Sequence, residues 1–287
     1  MQILFVHPNF PAQFGPVARQ LARRADVDCV FLSKNTEGIH DGIRCIRYTP
    51  QGGATRATHY CSRSFENAVW EAHAVYQTCQ AHRDLHPDLI VAHSGFGTTA
   101  FLPELYDCPI INLFEFYYHS RGGDSDFRPE FPGDPRNRLR ARTRNAMILT
   151  DLTPCTAGYA PTHWQWQHLP APLRSKVAVI HDGIDTDFWY RRAVPRRLGD
   201  EVLDPGVRVV TYVARGLEAM AGFDIFVRLA KRIAAVMPDV LFVVVGAART
   251  CYGSADWHRG AASFKDHVLA SEQPDLTRPR FLGTPPP

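Results

Sequence analysis

No apolar run in this chain approaches the ~20 residues needed to cross a bilayer, so no transmembrane helix is expected. A charge excess is missing as well. The 32 Lys and Arg nearly balance 29 Asp and Glu, and a net charge of +3 gives no sign of a nucleic-acid partner. No two cysteines stand in C-x-x-C spacing. The seven, at positions 29, 45, 61, 79, 108, 155 and 251, are odd in number and scattered, which fits reduced thiols in a cytoplasm and not a disulfide frame or zinc site. Among 13 histidines there is no H-E-x-x-H; the helical pair His82 and His86 has Arg83 where that motif carries glutamate, so no metal is expected. Met1–Pro8 shows neither a basic leader nor a cleavage-site pattern and reads as a first strand. What remains, 45% hydrophobic and 21% charged residues over 287 positions, describes an ordinary soluble globular chain, long enough for two modest domains or one large one.

Short apolar runs alternate with amphipathic stretches, a pattern that predicts a parallel sheet covered on both faces. Strands are expected at Gln2–Val6, Val27–Leu32, Ile43–Tyr48, Leu89–His93, Ile110–Phe114 and Val177–Ile180. Helices are expected at about Gly15–Arg24, Ser62–Leu85, Thr98–Tyr106, Asn137–Leu149 and Tyr159–His168. The second of these carries Phe65, Val69, Ala72, Val75 and Tyr76 on one face. Arg191–Gly206, with proline and arginine, reads as a linker. Beyond it come strands at Val207–Val213, Val240–Val245 and Arg280–Gly283, and helices at Ala261–Ser271 and Phe223–Val236, the latter with Phe226, Leu229, Ala230 and Ile233 inward.

Two stretches are more specific. Val177–Tyr190 reads V-A-V-I-H-D-G-I-D-T-D-F-W-Y, a short apolar strand that stops at a carboxylate and a glycine. Asp182-Gly183 suits a tight turn, and Asp185 can cap the adjoining segment. Such turns sit where strand ends face a cleft, the usual ligand position in open α/β sheets. Val209–Asp224 then reads V-V-T-Y-V-A-R-G-L-E-A-M-A-G-F-D. In this order the two stretches resemble the hinge and the opening of the second Rossmann-like domain in the family-four glycosyltransferases, retaining sugar transferases of the GT-B architecture. The resemblance implies an α/β fold of two Rossmann-like domains: an acceptor-side domain over 1–190, a linker over 191–206, and a nucleotide-sugar-binding domain over 207–287. That last part holds too few elements for a complete domain and lacks the family's paired glutamates, so a C-terminal truncation is expected.

The same resemblance assigns roles to individual residues. The turn after the first strand lies in the family's cleft, which places His7 on the acceptor side and Gly15 against the donor phosphates. The family often has two adjacent glycines there, this chain has one, and helix capping explains Gly15 equally. His93 falls near the reacting sugar, with Ser94 and Gly95 beside the substrate. Glu115 and Tyr117, in F-E-F-Y-Y, suit hydroxyl bonding and ring stacking on an acceptor. Arg215, followed by Gly216, would neutralise the donor diphosphate and the charge growing on the leaving group. A second family cation is replaced by Ala221-Gly222, a loss worth ~10²–10³ in rate. Asp182, Gly183 and Asp185 form the hinge. Asp124-Ser125-Asp126 imitates a metal-binding D-x-D but reads as a loop. Arg136, Arg140 and Arg144 share a helical face, either solvated or attractive to an anionic membrane or an acidic acceptor.

The resemblance thus implies a glycosyltransferase that moves a sugar, with retention, from a UDP- or GDP-linked donor to a glycan, lipid or small-molecule acceptor. No separate cofactor is expected. The location would be cytoplasmic with peripheral contact at the inner membrane face, and activity would suffer from truncation. His93 and Arg215 are the expected catalytic residues. Two other classes stay open: a non-catalytic fragment that binds an acceptor or partner, and an NAD-dependent oxidoreductase using the G-x-G-x-x-A of Gly95 and Gly97 with Glu115 as the ribose acid.

Overall fold

The structure, a computed structural model, describes residues 1–284 apart from 125, 133, 238, 253–260 and 276–278. The chain forms two compact units, Met1–Ser120 with Arg138–Ile184 and Arg121–Asn137 with Asp185–Pro287.

In the first unit, strands β1 (Gln2–Val6), β2 (Asp28–Ser33), β3 (Gly38–His40), β4 (Ile43–Arg47), β5 (Leu89–His93), β6 (Ile110–Leu113), β7 (Ala157–Ala160) and β8 (Val177–Val179) make one sheet in the order β3-β4-β2-β1-β5-β6-β7-β8. All pairings are parallel except that of the edge strand β3. The central strand shows why. Leu4 and Val6 pack with Val75 and Cys79 of α2 (Arg63–Ala81) on one face, and Ile3 and Phe5 pack with Phe14 and Ala18, the latter from α1 (Gly15–Ala22), on the other. A strand apolar at every position must be covered twice, which parallel sheets achieve with crossover helices. Each such fully buried side chain is worth ~1.5–3 kcal/mol before entropy is subtracted.

Several sequence expectations need correction here. No α-helix covers Thr98–Tyr106; the chain makes turns and a short 3-10 turn at Leu102–Glu104. Gly95 and Gly97 hold φ of +94° and +82°, and the Thr99 hydroxyl bonds a buried carboxylate, which together divert the backbone from helix. The expected helix at Tyr159–His168 begins only at α4 (His163–His168), capped by Thr162. Before it, Ala157–Ala160 is strand β7, invisible as an apolar run because three of its four residues are Ala or Gly and the fourth is Tyr159. Gly158 is required there, since a Cβ would lie 2.5 Å from the Phe114 ring. The buried line of α2 is Ala68, Ala72, Val75 and Cys79, and Phe65 is 36% exposed. α3 (Arg136–Leu152) matches its expected place.

The second unit contains a hairpin of β9 (Arg197–Leu198) and β10 (Glu201–Val202) inside the expected linker, turned at Gly199 with φ +62°. A parallel sheet comes next, β11 (Arg208–Gly216), β12 (Val240–Ala247) and β13 (Pro279–Gly283), with α5 (Phe223–Val236) and α6 (Phe264–Glu272). Phe223, Val227, Val244, Phe264 and Val268 form its core. The inward stripe of α5 is Phe223, Val227 and Ala230, whereas Leu229 is 48% exposed. The stripe is rotated because Asp224 is drawn inward: Arg128 grips its two carboxylate oxygens at 3.1 and 2.8 Å. That ion pair, with the Phe131 ring 5.0 Å from Phe264, explains why Arg121–Asn137 groups with this unit although the sequence pattern places it in 1–190. Within that loop Ser125 of the D-x-D imitation lies outside the described residues. Asp126 braces a turn by accepting from the N–H groups of Gly122 and Gly123.

Candidate active site

Crossovers from β1 lead to β2 on one side and later to β5 on the other, so the sheet's winding reverses between β1 and β5. Ligands of open parallel sheets lodge at the carboxyl ends of the strands at such a point. His7 directly follows β1 and His93 ends β5, and their ring centroids are 5.3 Å apart. Phe96 stands edge-on to both, at 5.4 and 5.0 Å. Glu115, just past β6, brings Oε2 to 3.3 Å from His93 Nε2. The other ring nitrogen, His93 Nδ1, is buried without a partner. Burial, reinforced by the neighbouring His93, pushes the His7 pKa down to about 4, so this ring is neutral at pH 7. His7 Nδ1 meets the backbone of Asn9 at 2.9 Å.

The loop after β5 is held from below by a residue that the sequence pattern did not single out. Asp151, on the buried face of α3, accepts hydrogen bonds from the Ser94 hydroxyl at 2.9 Å, the Gly95 N–H at 3.0 Å and the Thr99 hydroxyl at 2.8 Å. Burial raises its pKa, opposed by those three donors. Gly97 completes the constraint: a Cβ there would come within 2.2 Å of the Ala68 carbonyl oxygen. Ser94 and Gly95 are thereby presented to a recess of about 300 Å³. Its walls are His93, Phe96, Glu115, Phe116 and Tyr118 on the sheet side, Ser64, Phe65 and Asn67 of α2, and Arg144, Met147 and Ile148 of α3.

The structure therefore brings His7, His93, Ser94, Gly95 and Glu115 into one place. Tyr117 is elsewhere. It lines a second recess of about 340 Å³ with His119, Ser120, Arg142 and Asn145, and its neighbour Tyr118 reaches the first. Gly15 has a packing reason to be glycine, since a Cβ would lie 2.6 Å from Pro11 Cβ. Pro16 next to it has no N–H to offer an anion. Gly183 adopts φ +76°, and Asp185 Oδ1 accepts from the N–H groups of Asp187 and Phe188, so the tight turn and its cap take the expected form. The two units divide between Ile184 and Asp185.

In the second unit Arg215 lies at the carboxyl end of β11, exposed, with Nη1 3.1 Å from the Tyr252 hydroxyl and its guanidinium over that ring at 5.8 Å. The Tyr252 loop is fixed by Glu218, whose buried carboxylate accepts from the N–H groups of Cys251 and Tyr252 at 2.6 and 3.0 Å. Gly216 is buried against Arg249, where a Cβ would meet the carbonyl oxygen at 2.4 Å. Among the described residues no cluster of three or more His, Cys, Asp or Glu is placed to hold a metal ion. No described helix is long and apolar enough to cross a membrane.

A profile of the glycosyl transferase family 4 group matches residues 25–189, more than half of the chain. Sucrose-phosphate synthase from Thermosynechococcus elongatus is a similar solved structure, with a TM-score of 0.68 at 13% identity, covering 99% of this chain and 71% of that one. The UDP-GlcNAc 2-epimerase from Neisseria meningitidis bound to UDP-GlcNAc gives a TM-score of 0.52 at 13% identity, with 100% and 73% covered. The glycotransferase of kitacinnamycin gives 0.51 at 13%, with 98% and 70% covered. At these identities the likeness concerns the fold, which is the expected α/β, Rossmann-like GT-B type. No curated protein matches. The oxidoreductase alternative loses its footing on two counts. The profile is that of a glycosyltransferase family, and no helix N-terminus opens at Gly95–Gly97 to receive a pyrophosphate.

Proposed function

The chain belongs to the glycosyl transferase family 4 group, and from that premise we propose that it transfers a sugar from a UDP- or GDP-linked donor to a hydroxyl of an acceptor, with retention. The observation that carries the reading is the recess at the carboxyl end of β5, where His93, Glu115 and the Gly95 loop converge on a space of about 300 Å³. In the transfer the bond from the anomeric carbon to the acceptor oxygen forms as its bond to the leaving phosphate breaks. The acceptor proton passes to that phosphate on the same face, so no protein base is required. His93 supports the donor sugar, Glu115 accepts from acceptor hydroxyls, and neutral His7 completes the wall. Arg215 offsets charge on the diphosphate, and its stacking on Tyr252 pre-orients the guanidinium for that task. The Neisseria relative is bound to UDP-GlcNAc, which makes a uridine donor the first choice.

The seven free cysteines suit a reducing compartment. Peripheral membrane contact has its support in Phe188, Trp189 and Tyr190, exposed beside Arg191 and Arg192, a composition suited to a lipid headgroup layer. Titration calorimetry with UDP-, GDP- and unrelated nucleotide-sugars tests the main reading. One donor should bind, and Arg215→Ala should weaken it at least tenfold. Absence of binding by every donor would remove sugar transfer and leave the non-catalytic alternative.

A further inference from the structure

Arg144 and Arg140 stand one turn apart on the same face of α3, and both are half-buried. Arg144 lines the recess described above. Its guanidinium lies 3.7 Å from the centroid of the Tyr118 ring and donates through Nη2 to the Tyr118 hydroxyl. That bond uses one of the five N–H donors that a guanidinium carries. Arg140 donates to the Ser64 hydroxyl at 2.9 Å, on a residue that lines the same recess, and lies 5.5 Å from the Tyr60 ring. Its Nε is buried without a partner.

Neither arginine forms an ion pair with any described residue. The other half-buried arginines are met by an acid or by main-chain carbonyls, as Arg19 and Arg44 are by Asp41 and Asp84 and Arg63 and Arg174 are by carbonyl oxygens. Arg128, 9% exposed, is met by both Asp224 and Glu130, and even the open Arg136 has Asp134. The acid that the recess does contain, Glu115, faces His93. A half-desolvated cation with spare donors and no counter-ion, locked in one plane by stacking, is prepared for an anion. Besides Met147 and Ile148, the remaining lining offers aromatic rings and the hydroxyl and amide groups of Ser64, Ser94 and Asn67, as a polyol requires.

We propose that the acceptor bound in this recess carries an anionic group, a phosphate monoester or a carboxylate, received by Arg144 with Arg140 adding charge from behind Ser64. This rests on the sugar-transfer reading for the word acceptor, but the anion site itself is tested by binding alone. Glucose, glucose 6-phosphate and glucuronate are titrated into the full chain at low salt, followed by NMR chemical-shift changes. At least one of the two anions should bind at least tenfold tighter than glucose, and which one it is separates phosphate from carboxylate. Arg144→Gln should abolish the preference, Arg144→Lys should keep part of it, and UDP binding should stay unchanged in both. Equal affinities for all three sugars, no binding of either anion at millimolar concentration, or a preference that survives Arg144→Gln in a variant that melts like the wild type would each overturn the proposal. If the preference appears while no nucleotide-sugar binds, the anion site stands and sugar transfer fails.

Discussion

Asp151 offers a quantitative test of how the site is built. Replacing it by alanine leaves two buried hydroxyls, those of Ser94 and Thr99, and the part-buried Gly95 N–H without their acceptor. A buried donor that loses its partner costs ~1–3 kcal/mol, so Asp151→Ala should lose at least about 3 kcal/mol. Asp151→Asn keeps the shape and one acceptor oxygen but turns an amide N–H toward the donors, at about 1–2 kcal/mol. Linkage supplies a second signature. Because burial raises the folded pKa above the ordinary 3.8, the stability contributed by the protonated form is complete below that value. It is lost as pH rises through the folded pKa. The gap between wild type and Asp151→Asn should therefore shrink as pH rises. Urea unfolding of the three proteins across pH, read by tryptophan fluorescence, measures both effects. An Asp151→Ala penalty below about 1 kcal/mol, or a gap that widens with pH, would refute the role given to this carboxylate.

Other outcomes rest on the same geometry. His7, with a folded pKa of about 4 against 6.5, binds its proton more readily when unfolded. It should therefore contribute a stability loss of up to about 3 kcal/mol as pH falls from 6.5 toward 4, and His7→Phe should flatten that slope in pH-dependent melts. Gly97→Ala should destabilise by about 2–4 kcal/mol, because its Cβ meets a backbone carbonyl at positive φ; a neutral thermal melt would contradict the close approach. Asp224→Ala should cost about 1–3 kcal/mol, because the buried Arg128 loses one of its two carboxylates and keeps only Glu130, and the Asp224→Ala, Arg128→Met double variant should recover part of it in denaturant titrations.

The first unit was largely legible because its strands are buried on both faces and therefore read as unbroken apolar runs, as Ile3–Val6 does. Strand β7 escaped because Ala157, Gly158 and Ala160 leave Tyr159 as its one large side chain, and the glycine is dictated by Phe114 and not by hydropathy. The false helix at Thr98–Tyr106 arose because apolar spacing there resembles a helical face, whereas Gly95, Gly97 and the Thr99–Asp151 bond impose turns. For the site, the family resemblance named His7, His93 and Glu115 one by one, and the structure sets them side by side because a parallel sheet brings its carboxyl ends together whatever their separation in sequence. Asp151 and Arg144 come from a helix whose arginine face reads in sequence as solvated or as attractive to an anionic membrane or an acidic acceptor, with no sign of a recess beside it. Their signal was there: an acid in the apolar run Met147–Leu152, and arginines spaced to face the aromatic residues just past β6.

Turnover tests sugar transfer most directly. The chain is incubated with the nucleotide-sugar that binds and with phosphorylated and uncharged acceptors, while nucleoside diphosphate release and the anomeric proton of the product are followed by NMR. Diphosphate release coupled to a product with the donor's own anomeric configuration is expected, with Arg215→Ala slower by ~10²–10³ and the wild-type fold intact. Inversion at the anomeric carbon, or a rate indifferent to Arg215, would contradict it.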